Sequence, residues 1–99
     1  MSDDPRDTGD FAIDIARRLQ VTRRALDYDT QAEFAAAAGI GRTNYTQAEN
    51  GSRVLSLNMA LQLYDAFGIT LDWLYRGDRS GLRAKLRDDI RAIERGDSV

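Results

Sequence analysis

The chain has neither cysteine nor histidine. Without thiols, a disulfide framework and a thiolate metal site are excluded. Without imidazole, serine–histidine and cysteine–histidine catalysis and imidazole-ligated zinc are excluded as well. The 99 residues include a single proline and no long apolar run, whereas a membrane span needs about 20 consecutive apolar residues. The opening MSDDPRDTGD is acidic, the reverse of a secretory signal's positively charged start. A cytoplasmic protein with no membrane attachment is therefore expected. Catalysis would fall to carboxylates, hydroxyls and Lys85, and none of these stands in a recognisable pairing, so an enzyme is not expected. Neighbouring acids such as Asp88 and Asp89 read as a solvated face, and neither a metal nor another cofactor is expected.

An excess of positive charge is also missing. Fourteen basic against sixteen acidic residues give a net charge of −2, which at first sight argues against a nucleic-acid partner. The distribution says otherwise. Residues 1–10 carry −3, residues 11–77 balance seven acids with seven arginines, and residues 78–99 carry +1. Six of those central arginines, Arg17, Arg18, Arg23, Arg24, Arg42 and Arg53, precede residue 54. The acidic balance comes from the leader, so a basic face elsewhere stays open.

What the chain does have is helical periodicity, within a length typical of one domain. Residues 1–9, with three aspartates, Pro5 and Gly9, read as a disordered acidic leader. From Phe11 a first helix shows Phe11, Ile15, Leu19, Thr22 and Leu26 on one face and runs to about Asp27–Asp29. Thr30 and Glu33 form the capping-box pattern of a second helix, QAEFAAAA, which Gly39 stops in a left-handed turn. A third helix covers about Arg42–Asn50 and closes at Gly51. Ser56 caps a fourth, LNMALQLYDAF, with Leu57, Leu61, Tyr64 and Phe67 expected on its buried face. Thr70 caps a fifth, LDWLYR, with Trp73 in the core, and a last helix spans about Leu82–Arg95. No strand pattern or repeat appears, and the expected fold is all-α.

The second and third helices, joined by a tight glycine turn, form a helix-turn-helix pattern. Ala35 permits the close crossing of the two helices, and Phe34, Ala38, Ile40, Tyr45 and Ala48 fill the wedge behind them. At about 100° per residue, Arg42, Thr43, Thr46 and Gln47 share an arc of about 140°. Asn44, Tyr45 and Ala48 fall opposite. In this geometry the second helix offers its outer face to the major groove of DNA.

The stretch TQAEFAAAAGIGRTNYTQAENGS, followed by SLNMALQLYDAFGITLDWLYRGD, resembles the helix-turn-helix domains of phage Cro proteins and repressors and their bacterial relatives. The shared features are a capped Q-x-E-Φ-A helix (Φ apolar), a G-Φ turn, a recognition helix ending in E-x-G, and a downstream G-Φ-T-L-D-W-L. The similarity covers about residues 11–77. It implies a compact five-helix, lambda-repressor-like domain over 10–77, with an added helix in 78–99. It also implies a sequence-specific DNA-binding transcriptional regulator, a repressor by this reading, acting as a homodimer on a near-palindromic site. Carried over by position, Arg42, Thr43, Thr46 and Gln47 contact bases. Gln31, Asn44, Asn50, Ser52 and Arg53 contact phosphate or sugar. Glu49 pairs with Arg23 and, with Gly39 and Tyr45, supports the recognition helix. The narrow stripe Leu82, Leu86, Ile90 and Ile93 either lies back on the domain or pairs with its copy, and dimerisation is the role expected of it. Double-stranded DNA is the expected partner, with no small-molecule ligand. The rival readings are an antitoxin-like regulator that also binds a protein, and a helix-turn-helix fold that serves only protein contacts. The sequence also departs from the family pattern. Gly41 stands where a Ser or Thr cap is common, Ala48 where a larger apolar residue is usual, and SRVL follows Gly51 where lysines are frequent.

Overall fold

The computed structural model describes residues 8–96. Among them there is no strand. Five α-helices, α1 (Thr8–Ala25), α2 (Gln31–Ala38), α3 (Arg42–Glu49), α4 (Leu57–Phe67) and α5 (Ala84–Glu94), are joined by short turns, with a π-helical turn at Asp72–Arg76 between α4 and α5. The acidic leader lies outside the described residues over 1–7. Thr8 and Gly9, expected in that leader, instead form the start of α1, where Asp10 sits in the first turn and complements the helix dipole.

Helix α1 is the axis of the domain. It packs against α3, α5 and the π-helical turn, and buries Ala12, Ile15, Ala16, Leu19 and Thr22. It ends at Ala25, two residues before the expected stop, because Asp27 takes a left-handed conformation (φ 66°). The Tyr28 amide then donates to the Arg23 carbonyl and closes the helix end. Helix α2 begins as its capping residues require. The Thr30 hydroxyl accepts from the Glu33 amide at 3.1 Å and donates to the Glu33 carboxylate. Gly39 (φ 73°) turns the chain left-handed at its end, as only glycine does at little cost. An aromatic cluster fills the space behind the helix pair: Phe34 stacks on Phe67 at 4.8 Å and meets the rings of Tyr45 and Tyr28 edge-on, each at 5.4 Å.

Two expectations about apolar faces are corrected. Helix α4 does not bury Leu57, Leu61 and Tyr64, which are 60%, 43% and 51% exposed. It turns Ala60 and Leu63 fully inward, with Met59 and Phe67 half-buried beside them. This helix is apolar nearly all round, so two stripes compete. The one centred on small Ala60 allows the closer approach of backbones. Tyr64 is accordingly not a core residue, whereas Trp73 is. The second correction concerns the carboxy-terminal stripe. Leu82, Leu86 and Ile90 are buried against α1 and the core, and Ile93 is half-buried. Leu82, Leu86 and Ile90 thus complete the fold of one chain instead of lining an open dimerisation surface, and Ile93 is the one member of the stripe still partly exposed. For the same reason residues 78–96 are not an appendage but part of the same core.

Truncating the inward face of α4 with Leu63→Ala should cost about 2–5 kcal/mol. Leu61→Gln on the outward face, measured at protein concentrations too low for two chains to associate, should change stability by about 0.5 kcal/mol or less. Urea denaturation of the two variants distinguishes the registers, and a larger loss from Leu61→Gln would contradict this packing.

Candidate nucleic-acid interface

Helix α3 is only two turns long, so packing must hold it in place, since isolated short helices are marginal in water. Tyr45, Ala48 and Glu49 provide that hold, and all three are buried. A buried carboxylate is costly unless it is paired and hydrogen-bonded, and Glu49 is fully satisfied. Its two oxygens lie 2.8 and 3.2 Å from Nε and Nη2 of Arg23 on α1. The Tyr45 hydroxyl donates to it at 2.6 Å, and the Gln31 amide at 2.7 Å. The Arg23 Nη1 donates onward to the carbonyls of Tyr28 and Asp29, 2.9 Å each. One carboxylate thus ties α3 to α1, to the first residue of α2, and to the turn that precedes α2.

The electrostatics follow from that geometry. Burial pushes the Glu49 carboxyl up, but hydrogen bonds from Arg23, Tyr45 and Gln31 outweigh it and hold the group below the usual carboxylate range. The hydrogen bond to Glu49 raises Arg23 further, so the guanidinium stays charged. Burial and then the bond to Glu49 drive the Tyr45 phenol far above its ordinary value, and it remains a donor.

Opposite this anchored side, Arg42, Thr43, Asn44 and Asn50 are exposed and Thr46 and Gln47 half-buried. The four residues expected to read bases, Arg42, Thr43, Thr46 and Gln47, therefore share the outward side of α3. Asn44, expected on the inner side, borders that outer surface instead. Gly41 brings no side chain to cap the amides of the first turn, which leaves donors at the amino end.

The residues expected to touch phosphate are placed unevenly. Arg53 is exposed. The Ser52 hydroxyl donates to the Gln47 carbonyl at 3.1 Å, closing the end of α3. Gln31 uses its amide nitrogen internally, donating to Glu49 at 2.7 Å and to the Asn50 side-chain oxygen at 3.2 Å. Only its acceptor oxygen is left, and a phosphate offers no hydrogen to it. The same contact holds the Asn50 side chain by its oxygen and leaves its NH2 group to donate. Gly39 is fixed from another side, since Gln62 of α4 donates to its carbonyl at 2.8 Å.

Two supporting residues escaped the sequence reading. Gln20 on α1 donates to the Glu49 carbonyl at 3.1 Å, and Gln62 pins the turn. Both act across separations of more than 20 residues from helix surfaces that read simply as polar. No local spacing marks them.

These contacts define a helix-turn-helix domain whose second helix is clamped from behind and open in front. A family model described as helix-turn-helix matches residues 29–74, from just before the Thr30 cap into the π-helical turn. Residues 29–74 thus carry a helix-turn-helix domain of the Cro/C1 type, and that family consists of DNA-binding regulators that are generally not enzymes. No curated protein and no solved structure gave a match. Among the described residues no helix is long and apolar enough to cross a membrane.

Because the Glu49 carboxyl is held below its unfolded value of about 4.3, its ionised form stabilises the fold above that pH. The stabilisation is lost as pH falls through the lower, folded value. Glu49→Ala should cost about 3–5 kcal/mol at neutral pH by stranding buried Arg23. Glu49→Gln should flatten the acid limb of stability, as measured by urea midpoints between pH 7 and pH 3. An unchanged acid limb would show that Glu49 does not contribute to it.

Proposed function

We propose that the protein is a transcriptional repressor that reads the major groove with the outer face of α3 and binds as a homodimer on a near-palindromic site. The observation that carries this reading is the division of α3. Tyr45, Ala48 and Glu49 are consumed by the core, while Arg42, Thr43, Thr46 and Gln47 face out, and none of these four side chains hydrogen-bonds to the rest of the described residues. An arginine can donate two hydrogen bonds to guanine, and a glutamine can pair similarly with adenine. Arg53, Asn44 and the NH2 group of Asn50 surround that face as phosphate donors, and the uncapped amides at the start of α3 suit an anion. Gln31 serves this surface by orienting Asn50 and Glu49. Occupancy of an operator blocks other proteins by its bulk, so repression asks for nothing beyond tight and specific binding.

The homodimer rests on a different surface from the one the sequence suggested. With most of the α5 stripe buried, the row Leu57, Leu61 and Tyr64 on α4 groups three of the four large exposed apolar side chains among the described residues, Ile13 on α1 being the fourth, and offers a surface to a second copy. Asp65 is the single charged residue of α4, so two copies could meet along this helix without opposing rows of like charge. Four base-facing side chains read only a few base pairs, and a two-fold arrangement doubles the site and its affinity.

Selection of bound sequences from random duplexes should return a palindromic consensus. On that sequence, Arg42→Ala and Gln47→Ala should each cost about 1–3 kcal/mol and relax the preference at one position per half-site. Arg53→Ala should weaken all sequences alike and reduce the salt dependence by about one unit per contact. Leu61→Arg should keep the monomer folded and leave a half-site footprint. Failure to enrich any sequence at low salt would overturn the reading, and an enriched but non-repeated site would overturn the dimer.

A further inference from the structure

A second cluster of arginines lies away from α3. Arg17 and Arg18 of α1 and Arg79, just after the π-helical turn, line a hollow of about 130 Å³ together with Val21, Trp73, Gly77 and Glu94. The hollow is on the opposite side of α1 from the recognition helix. Ala16, Gln20 and Arg23 face α3, as their contacts with Gly51 and Glu49 show. At about 100° per residue, Arg17, Arg18 and Val21 are centred about 140° away.

The arginines are positioned rather than merely solvated. Arg18 donates through Nη1 to the Leu74 carbonyl at 3.1 Å. Its guanidinium packs against Gly77, so closely that a Cβ there would sit 3.0–3.3 Å from three of its atoms. Gly77 is itself left-handed (φ 77°), so the backbone and the packed arginine both call for glycine. Arg79 stacks over the Trp73 indole, 4.8 Å from the ring centre. Glu94 holds Arg79 from the rim with contacts of 2.7 and 2.8 Å. Arg17 meets Asp14 only at 3.6 Å, and both side chains are largely exposed. Burial lowers Arg18, the nearby Asp14 carboxylate partly offsets this, and the charges of Arg17 and Arg79 lower it further, so the two neighbouring arginines are close enough to repel it. Each guanidinium has five N–H donors, and the contacts described leave most of them unused. The hollow holds about four water volumes at roughly 30 Å³ each, enough for one phosphate group.

We infer that this hollow binds the phosphate group of a small phosphorylated molecule, with Arg18 and Arg79 as its principal donors, Arg17 as a third charge, and Glu94 as the counter-ion that the phosphate displaces. The site is separate from the DNA-reading face and would give the single domain an effector input, revising the expectation that no small molecule binds.

Calorimetric titration of the full chain with pyrophosphate, without DNA, tests it. Saturable binding of one anion per chain is expected, accompanied by a change in emission from Trp73, the protein's sole tryptophan. Sodium chloride at matched ionic strength should not reproduce either signal. Arg18→Gln and Arg79→Gln should each weaken binding about tenfold or more, the worth of a charge-assisted hydrogen bond. Glu94→Gln should strengthen it several-fold, an outcome that a merely structural ion pair does not produce. Circular dichroism establishes that each variant is folded. No saturable binding, an equal response to chloride, or binding unchanged in both arginine variants would overturn the inference. A parallel arm measures affinity for a random duplex at low salt. Arg79→Gln should leave it unchanged, and an equivalent loss there would assign the cluster to nucleic-acid backbone instead.

Discussion

The fold depends most on one buried carboxylate. Glu49 sits on the last turn of a two-turn helix that could not persist alone, and it receives hydrogen bonds from Arg23, Tyr45 and Gln31. A pair of buried charges is not in itself strong evidence of stability, because desolvation offsets much of the attraction. Its consequence here is geometrical. The carboxylate can be satisfied in this way only when α1, α2 and α3 hold one relative arrangement, so the pair fixes the angle at which α3 presents its outer side. A packed apolar contact would tolerate sliding. A fork of guanidinium on carboxylate does not.

That arrangement divides the polar residues around the site into two groups that look alike in the sequence. Arg23, Gln20, Gln31, Gln62 and Glu49 are used internally to hold the reading helix and its turn. Arg42, Thr43, Thr46, Gln47 and Arg53 are not, and they are the candidates for output. The surface is sparing in charge, with Arg42 and Arg53 near α3. By the proposal above, affinity would rest on hydrogen bonds to base edges, backbone amides at the open start of α3, and a second copy, rather than on a broad electrostatic field.

Much of this was legible before any coordinates. Thr30, Gly39 and Ser56 act where local chemistry alone decides, and each cap or stop appears where its residue type requires. The Arg23–Glu49 pairing came from a resemblance and not from spacing, since 26 residues separate the partners. What could not be read was which of two apolar stripes on α4 turns inward, because Leu57, Leu61 and Tyr64 follow helical spacing as well as Ala60, Leu63 and Phe67 do. The choice is made by how α4 packs against α2 and the rest of the core, a tertiary quantity. The fate of the α5 stripe was open for the same reason: a narrow apolar face on an otherwise charged helix serves an intramolecular groove or a second chain equally well. The π-helical turn and the left-handed Asp27 left no recognisable mark in the sequence. Gln31 shows the limit of carrying roles over by position, since the structure engages its amide with Glu49 and Asn50.

The central claim is that the outward side of α3, held by Glu49 from behind, is where DNA meets this protein. Its most direct test is a titration of isotope-labelled protein with duplex DNA followed by amide and side-chain NMR shifts. The account predicts the largest changes at Arg42–Gln47, Asn50 and Arg53, with α5 and the surface around Arg79 undisturbed. Shifts concentrated on α5 or around Arg79, with α3 unmoved, would contradict it.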